Sequence, residues 1–329
     1  MRSKEVHLIE RPQGLPKPEQ FRIVETEVAD PADGELLVQN IYMSVDPAMR
    51  PRLAGPTALN EAMMGGAIGR VLKSRNPPFR EGDIVESMKG FREYFVSDGK
   101  GLTKLEPDGM PLVAYMSVLG LTGLTAYGGL TVIGALKDGE NVFVSAAAGA
   151  VGSVAAQIAK IKGCYVIGSA GSDEKCRWLK DDLGLDAVIN YKKGELRTSL
   201  KAAAPKGIDV YFENVGGEHL NAALPRMNAL GRIAVCGMIS AYNNFGAVSE
   251  PVTTLSNMIY NRVTMRGFVF YEFESKRAQF LAEMKGWIKA GRMKYRTTIL
   301  QGIEQAPAAL IGLFTGINTG KMVVQLAED

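Results

Sequence analysis

The sequence predicts an α/β protein: a doubly wound parallel sheet joined to a smaller β-rich module. Three observations carry this. From Leu119 to about Ala290, strand-length apolar runs alternate with helix-length amphipathic ones, the pattern of a parallel sheet covered by helices. Ahead of them, residues 1 to about 115 hold short β-like runs separated by Pro, Gly and Asp turns. Between one strand and one helix lies AAAGAVG, Ala146 to Gly152, a turn almost free of side chains.

The elements follow in order. In the first module GELLVQNIYMSV, GAIGRVLKS and GDIVESM read as strands. In the second, the strand NVFVSA leads to the helix AVGSVAAQIAKIKG, and CYVIGSA to DEKCRWLKDDLG. DAVINY, ELRTSLKAAA, IDVYFENVG, EHLNAALPRMNALG and GRIAVCGM continue the alternation, and VTMRGFVF and KRAQFLAEMKGWIKAG close it. The tail from Lys294 reads strand, helix, glycine turn, strand, and does not extend the series. It is expected to return to the first module.

At 329 residues the chain is long enough for two medium domains. A net charge of +3, with basic and acidic residues interspersed, gives no footprint for nucleic acid. No apolar run is long enough to span a bilayer, and MRSKEVHLIERP lacks a signal peptide's apolar core. The expectation is a soluble, cytoplasmic protein. Three cysteines without close pairs argue against a disulfide framework. Cys164 and Cys236 read as buried small hydrophobes. Neither His7, an early strand residue, nor His219, read as a surface residue at a helix start, has ligand-spaced neighbours, so no metal site is expected.

The glycine-rich turn points to a dinucleotide. Ala147, Gly149 and Gly152 occupy the three positions of G-x-G-x-x-G, with Ala150 and Val151 between the last two. Small residues there admit a pyrophosphate to the helix N-terminus, whose unpaired N–H groups and dipole favour negative charge. A plain tight turn would need the same residues, but the strand before and the helix and strand after make the dinucleotide reading the stronger one. The next strand ends in Ser169, Ala170 and Gly171, where an NAD site would place an acid for the ribose hydroxyls. Lys175 follows. Hydroxyl and ammonium donors suit a 2′-phosphate, which favours NADPH. The plainer reading makes Asp173 an N-cap and Lys175 a solvated lysine. Tyr191, Asn214 and Cys236-Gly237-Met238 lie at later strand ends, the edge of an open α/β sheet where ligands bind.

Taken together, AAAGAVGS, GSAGSDEKCRWL, DVYFENVGGE and CGMISAYN resemble the zinc-independent medium-chain reductases. They are most similar to the branch of prostaglandin/leukotriene reductases, plant alkenal double-bond reductases and bacterial curcumin-reductase-like proteins. YMSVDPAMRPRLAG, GGAIGRVLKS, GLTGLTAYGGL and GINTGKMVV extend the likeness over almost the whole chain. The resemblance implies a GroES-like catalytic domain over 1–118 completed by 291–329, a Rossmann NADPH-binding domain over 119–290, and an active site between them. It also implies reduction of the C=C bond of α,β-unsaturated aldehydes and ketones, and a homodimer. Carried over by residue, it gives Lys175 and Tyr191 the adenosine phosphate. Pro47, Asn214, Cys236, Gly237, Met238, Ile239, Ser240, Phe268, Val269, Phe270 and Asn318 become cofactor contacts. Two positions depart from the family: Ala48 stands where tyrosine is usual, and Thr122 where proline is common.

Conjugate reduction delivers hydride to the β-carbon, needs a donor for the enolate oxygen, and then a proton at the α-carbon. The cofactor carries the hydride chemistry and the protein the geometry and electrostatics. Tyr242, which the resemblance places near the nicotinamide ribose, is the first candidate donor, or else an aromatic that packs on the ribose. Tyr260 is the second, and reads more simply as a helix residue facing an interface. Two other functions share these features: a quinone reductase of the same superfamily, and a noncatalytic NADPH-binding protein, for which Ala48 is the only foothold.

Overall fold

The computed structural model describes residues 1–244 and 251–329. The chain divides into two compact units, Met1–Met116 with Thr297–Asp329, and Ser117–Arg296.

The first unit is built from the β-like runs. Strands β1 (Arg2–Leu8) and β2 (Phe21–Glu27) pair antiparallel. Then come β3 (Leu36–Ser44), β4 (Ala67–Ser74), β5 (Ile84–Ser87), β6 (Tyr94–Ser97) and β7 (Thr103–Leu105). The second unit holds β8 (Asn141–Val144), β9 (Tyr165–Ala170), β10 (Ala187–Asn190), β11 (Ile208–Glu213), β12 (Met227–Val235) and β13 (Thr264–Gly267). The tail supplies β14 (Thr297–Gln301), the helix Ala306–Thr315 and β15 (Lys321–Gln325). It does return to the first unit: β15 pairs with β3, giving a seven-stranded sheet ordered β14-β15-β3-β4-β5-β7 with β6 on β3. Alternation of buried and part-buried positions along β5 and β6 matches period-two strands with one covered face. Val6, Leu8, Met43, Met322, Val324 and Leu310 share that unit's core.

Lys321 fastens the tail to the turn after β3. It is buried, and its ammonium donates to Val45 O at 2.7 Å, Met322 O at 3.0 Å and Asp46 Oδ1 at 3.0 Å. Ser44 Oγ donates to the other Asp46 oxygen at 2.5 Å. A buried charge is tolerated because every donor has an acceptor. The outcome is a fixed Ser44–Pro47 turn leading into the short helix Met49–Leu53.

The second unit is the doubly wound sheet. All its strands are parallel, in the order β10-β9-β8-β11-β12-β13. The chain runs outward from β8 through β9 to β10, then outward on the other side through β11, β12 and β13. The order therefore reverses between β8 and β11, where such sheets open a ligand crevice at the carboxyl ends. The helix Ala150–Ile161 covers the sheet with its buried residues Val154, Ala155, Ile158 and Ala159.

Two expectations need correction. The helix read over EHLNAALPRMNALG stops early: it spans Gly217–Ala223, a tight turn at Leu224–Arg226 follows, and β12 begins at Met227. Pro225 cannot donate within a continuing helix, and parallel pairing with β11 captures the rest, with an irregularity in register between Ile208 and Val210. His219 is not a surface residue. It is buried, receives or donates a 3.0 Å hydrogen bond with Ser169 Oγ, and lies edge-on to Tyr191. Burial pulls its pKa down to about 4. The folded state therefore keeps His219 neutral while the unfolded chain titrates near 6.5. Stability is full above the unfolded value and is lost as pH falls from about 6.5 towards 4, on the order of 2 kcal/mol by pH 5. His219→Gln is expected to flatten this part of the pH–stability curve, measured by urea unfolding at pH 7.5 and 5. An unchanged slope would remove His219 as its source.

Candidate active site at the carboxyl edge of the parallel sheet

The turn after β8 is tight for reasons visible in its atoms. Ala146 adopts φ +47°, and the Ala147 N–H donates to Ser169 O at 2.8 Å, tying the turn to β9. Gly149 is the N-cap of the helix Ala150–Ile161, and no side chain caps it. A Cβ at Gly152 would lie 2.4 Å from Ala146 O and 2.9 Å from Ala147 Cα. Ala150 and Val151 form the half-buried first turn, so the helix N-terminus keeps its donors for a ligand.

At the end of β9 the strand gives way to Gly171 without an acid. Ser169 does not offer its hydroxyl there: it is fully buried and serves His219. Ser172, not Asp173, is the N-cap of the helix Asp173–Arg177, accepting from Lys175 N–H at 3.3 Å. Lys175 is half-buried, and its ammonium is held below the usual lysine range by burial and then by the neighbouring Lys192 charge. Tyr191 reaches the same place. A Cβ at Gly171 would lie 2.8 Å from Tyr191 Oη and 3.3 Å from Lys192 Cε. Lys192 is thus a functional candidate that sequence reasoning passed over, although its position beside Tyr191 at a strand end was the signal. Two lysines that repel each other beside a tyrosine hydroxyl are the donor types a dianion would call for.

The crevice floor between β8 and β11 is a hydrogen-bonded clamp. Glu213 is fully buried, and its Oε1 accepts from Ser145 Oγ at 2.8 Å and from Val215 N–H at 2.6 Å. Ser145 Oγ in turn accepts from Asn214 N–H at 2.8 Å, and Asn214 Nδ2 donates to Ser145 O at 2.7 Å. Asn214 is held by both its backbone and its side chain. Glu213 and Ser145 were not singled out in the sequence, because a glutamate inside an apolar strand gives no sign of where its oxygens go.

The Cys236–Tyr242 loop is stitched to the same turn. Cys236 N–H and Gly237 N–H donate to Glu213 O, Ile239 N–H to Asn214 O, and Ser240 N–H to Val215 O. Ser240 Oγ adds a 2.6 Å bond to Val215 O. Met238 packs against Gly216, where an added Cβ would come within 3.1 Å of it. Cys236 is half-buried, one step past the strand that was to contain it, and burial beside Glu213 pushes its thiol up to about 12. Tyr242 Oη accepts from Met238 N–H at 3.3 Å and lies 3.0 Å from where a Gly237 Cβ would stand. Like any phenol, Tyr242 is protonated at neutral pH; burial raises its pKa further, and its own hydrogen is not used towards Met238.

The other candidates are more scattered. Phe268 is buried, edge-on to Phe212, so its ring belongs to the core. Val269 is exposed and Phe270 opens the turn Phe270–Lys276. Tyr260 is 82% exposed on the short helix Asn257–Asn261, which fits an interface rather than a donor role. In the first unit, Pro47 is half-buried and Ala48 exposed at the start of the helix Met49–Leu53. Asn318 Nδ2 donates to Gly320 O at 2.8 Å. Thr122 Oγ1 donates to Ser117 O at 2.8 Å.

Comparison with known proteins agrees with this layout. Residues 4–105 match a family model described as the N-terminal domain of oxidoreductase, and residues 150–286 one described as zinc-binding dehydrogenase. Among the described residues no group of three His, Cys, Asp or Glu side chains could hold a metal ion. The chain is 39% identical to the NADPH-dependent curcumin reductase of Escherichia coli, over 98% of this chain and 96% of that one. It is 42% identical to prostaglandin reductase 1 of Rattus norvegicus, over 95% and 96%. The crystal structure of CurA from Vibrio vulnificus in complex with NADPH superposes with a TM-score of 0.94 at 38% identity, over 99% of this chain and 100% of that one. A Rossmann sheet carrying a glycine-rich turn, together with relatives this close along its whole length, places the chain in the medium-chain dehydrogenase/reductase family, in the branch of the curcumin and prostaglandin reductases.

Proposed function

We propose that this enzyme uses NADPH to reduce the carbon–carbon double bond of 2-alkenals and open-chain enones. The observation that carries this is the position of the Tyr242 hydroxyl, which accepts from Met238 N–H and lies beside Asn214 and Gly237 at the carboxyl edge of the sheet. The residues fit the cofactor. The turn at Gly149–Gly152 packs backbone against backbone at an uncapped helix start, and Lys175, Lys192 and Tyr191 lie near a strand end without an acid. NADPH, when bound, supplies the hydride.

The chain supplies placement and charge. The uncapped helix at Ala150 would hold the diphosphate, and Lys175 and Lys192 would hold the 2′-phosphate. Glu213 and Ser145 hold Asn214 in place at the crevice, where it would help hold the cofactor. Tyr242 donates to the substrate carbonyl oxygen as negative charge gathers there.

The test follows loss of reduced-nicotinamide absorbance with NADPH or NADH, against trans-2-alkenals, open-chain enones, prostanoid-like enones and quinones, with products identified by mass. Saturated aldehydes or ketones formed with a preference for NADPH are expected. Turnover of quinones alone would replace this reading with a quinone reductase. Tight NADPH binding without any turnover would favour the noncatalytic protein.

A homodimer belongs to the same proposal. Strand β13 is a sheet edge with all four residues exposed, and Ile259, Tyr260, Met265 and Tyr271 on and around it are exposed apolar side chains. An uncovered edge of this kind invites pairing with a second copy. Sedimentation velocity is expected to give a dimer that Met265→Lys dissociates. A monomeric wild type would end the proposal.

A further inference from the structure

His219 is a buried titratable group that the chemistry above leaves unused. Its helix, Gly217–Ala223, follows β11, yet its ring touches residues of three other strand ends. Nε2 and Ser169 Oγ, in β9, are hydrogen-bonded at 3.0 Å. Phe143 of β8 stacks on the imidazole, the two rings inclined by 4° with centroids 6.5 Å apart. Tyr191, the first residue past β10, meets it edge to face, at 75° with centroids 5.0 Å apart. The serine bond and the Phe143 face fix the plane of the imidazole, and the imidazole in turn fixes the phenol. The Tyr191 backbone is already tied down, its N–H donating to Ala170 O at 3.2 Å. What packs on the ring therefore decides where its hydroxyl goes.

That hydroxyl goes to the cofactor edge. A Cβ at Gly171 would lie 2.8 Å from Tyr191 Oη and 3.3 Å from Lys192 Cε, and the Lys192 charge reaches Lys175. We propose that His219 is a positioning residue for cofactor selection: its ring holds the Tyr191 phenol so that the hydroxyl meets the 2′-phosphate, and so raises the preference for a 2′-phosphorylated nucleotide. This rests on the placement of the 2′-phosphate beside Tyr191, Lys175 and Lys192 given above. Burial pulls the His219 pKa down to about 4, so the imidazole is neutral near neutral pH and adds no charge of its own to the site. Its contribution is one of shape. Ser169 cannot replace the phenol as a donor, because it is fully buried and bonded to the imidazole.

The experiment is calorimetric titration of the full-length protein at pH 8 with 2′,5′-ADP and with 5′-AMP, so that no turnover is involved and the ratio of the two affinities is the readout. Tyr191→Phe is expected to lower that ratio about tenfold, the scale of one hydrogen bond to a charged group. His219→Gln removes the ring and leaves Ser169 a partner; it is expected to lower the ratio about fivefold with 5′-AMP unchanged, since the hydroxyl is displaced rather than lost. His219→Leu takes its place if the glutamine variant does not fold. His219→Phe, which returns a ring beside Tyr191, is expected to recover most of the loss. In the Tyr191→Phe background, His219→Gln is expected to leave the ratio where Tyr191→Phe put it, because the hydroxyl through which it acts is gone. A further loss there would overturn the proposal, since His219 would then act on the nucleotide by another route. Equal weakening of both nucleotides by His219→Gln would overturn it too, as would an unchanged ratio. A Tyr191→Phe protein with the wild-type ratio would instead remove Tyr191 from the 2′-phosphate, and with it the placement beneath this inference.

Discussion

Tyr242→Phe is expected to lower turnover of a 2-alkenal by about a hundredfold or more, the typical cost of removing one oxyanion donor. NADPH affinity, read by quenching of protein fluorescence, is expected to stay within about threefold of wild type, because the ring remains and only the donor leaves. The split between these readouts is what distinguishes donation from packing. Tyr242 Oη takes a hydrogen bond from Met238 N–H and gives none back to it. Among the described residues nothing accepts its proton, which a phenol keeps at neutral pH. The short helix Ile239–Tyr242 that carries it is anchored through Ser240 and Ile239 to the turn after β11, so the hydroxyl is preorganised. Loss of NADPH affinity with little loss of rate would assign the ring to the ribose instead.

The parallel sheet was legible because its signals are local. Strand length, β-branched content and glycine turns recur with a fixed rhythm from Asn141 onward, and the strands β8 to β11 lie where that rhythm puts them. From the residues alone the tail was legible only as a break in the rhythm; its place came from the family resemblance. It pairs with β3, and Lys321 secures it there, its ammonium meeting Val45 and Asp46 across 276 and 275 residues of sequence. No local pattern encodes such a contact. The same limit hid the site's supporting residues. Glu213 reads as an oddity in an apolar strand until Ser145, 68 residues earlier, is seen to donate to it. Ser169 reads as a phosphate donor until His219 is seen to hold its hydroxyl inside. Residues that face a ligand announce themselves by position at a strand end. Those that hold them in place depend on pairings made by the sheet order.

Gly152→Val is expected to lower NADPH affinity by more than about a hundredfold and to cost roughly 1–3 kcal/mol of stability through overpacking. The contacts that the new Cβ would meet are the Ala146 carbonyl oxygen at 2.4 Å and Ala147 Cα at 2.9 Å, both backbone. Neither can swing aside as a side-chain tip would. The turn cannot retreat as a whole either. Ala147 N–H is bonded to Ser169 O, and the Ala147 methyl already lies within 2.9 Å of where a Gly168 Cβ would stand, so β9 is directly behind it. The helix must therefore move off the strand, carrying the N–H groups of its first turn away from the diphosphate. Gly149→Ala provides the contrast: its φ of −82° suits any residue, and its Cβ would sit 3.2 Å from Ala146 O, tight but relievable by a small shift. It is expected to weaken NADPH by less than about tenfold, with a melting temperature close to that of wild type. Fluorescence titration with NADPH and thermal unfolding of the two variants separate a cradle that must stay empty from a turn that only prefers glycine. A folded Gly152→Val protein with wild-type NADPH affinity would place the dinucleotide somewhere other than on this turn.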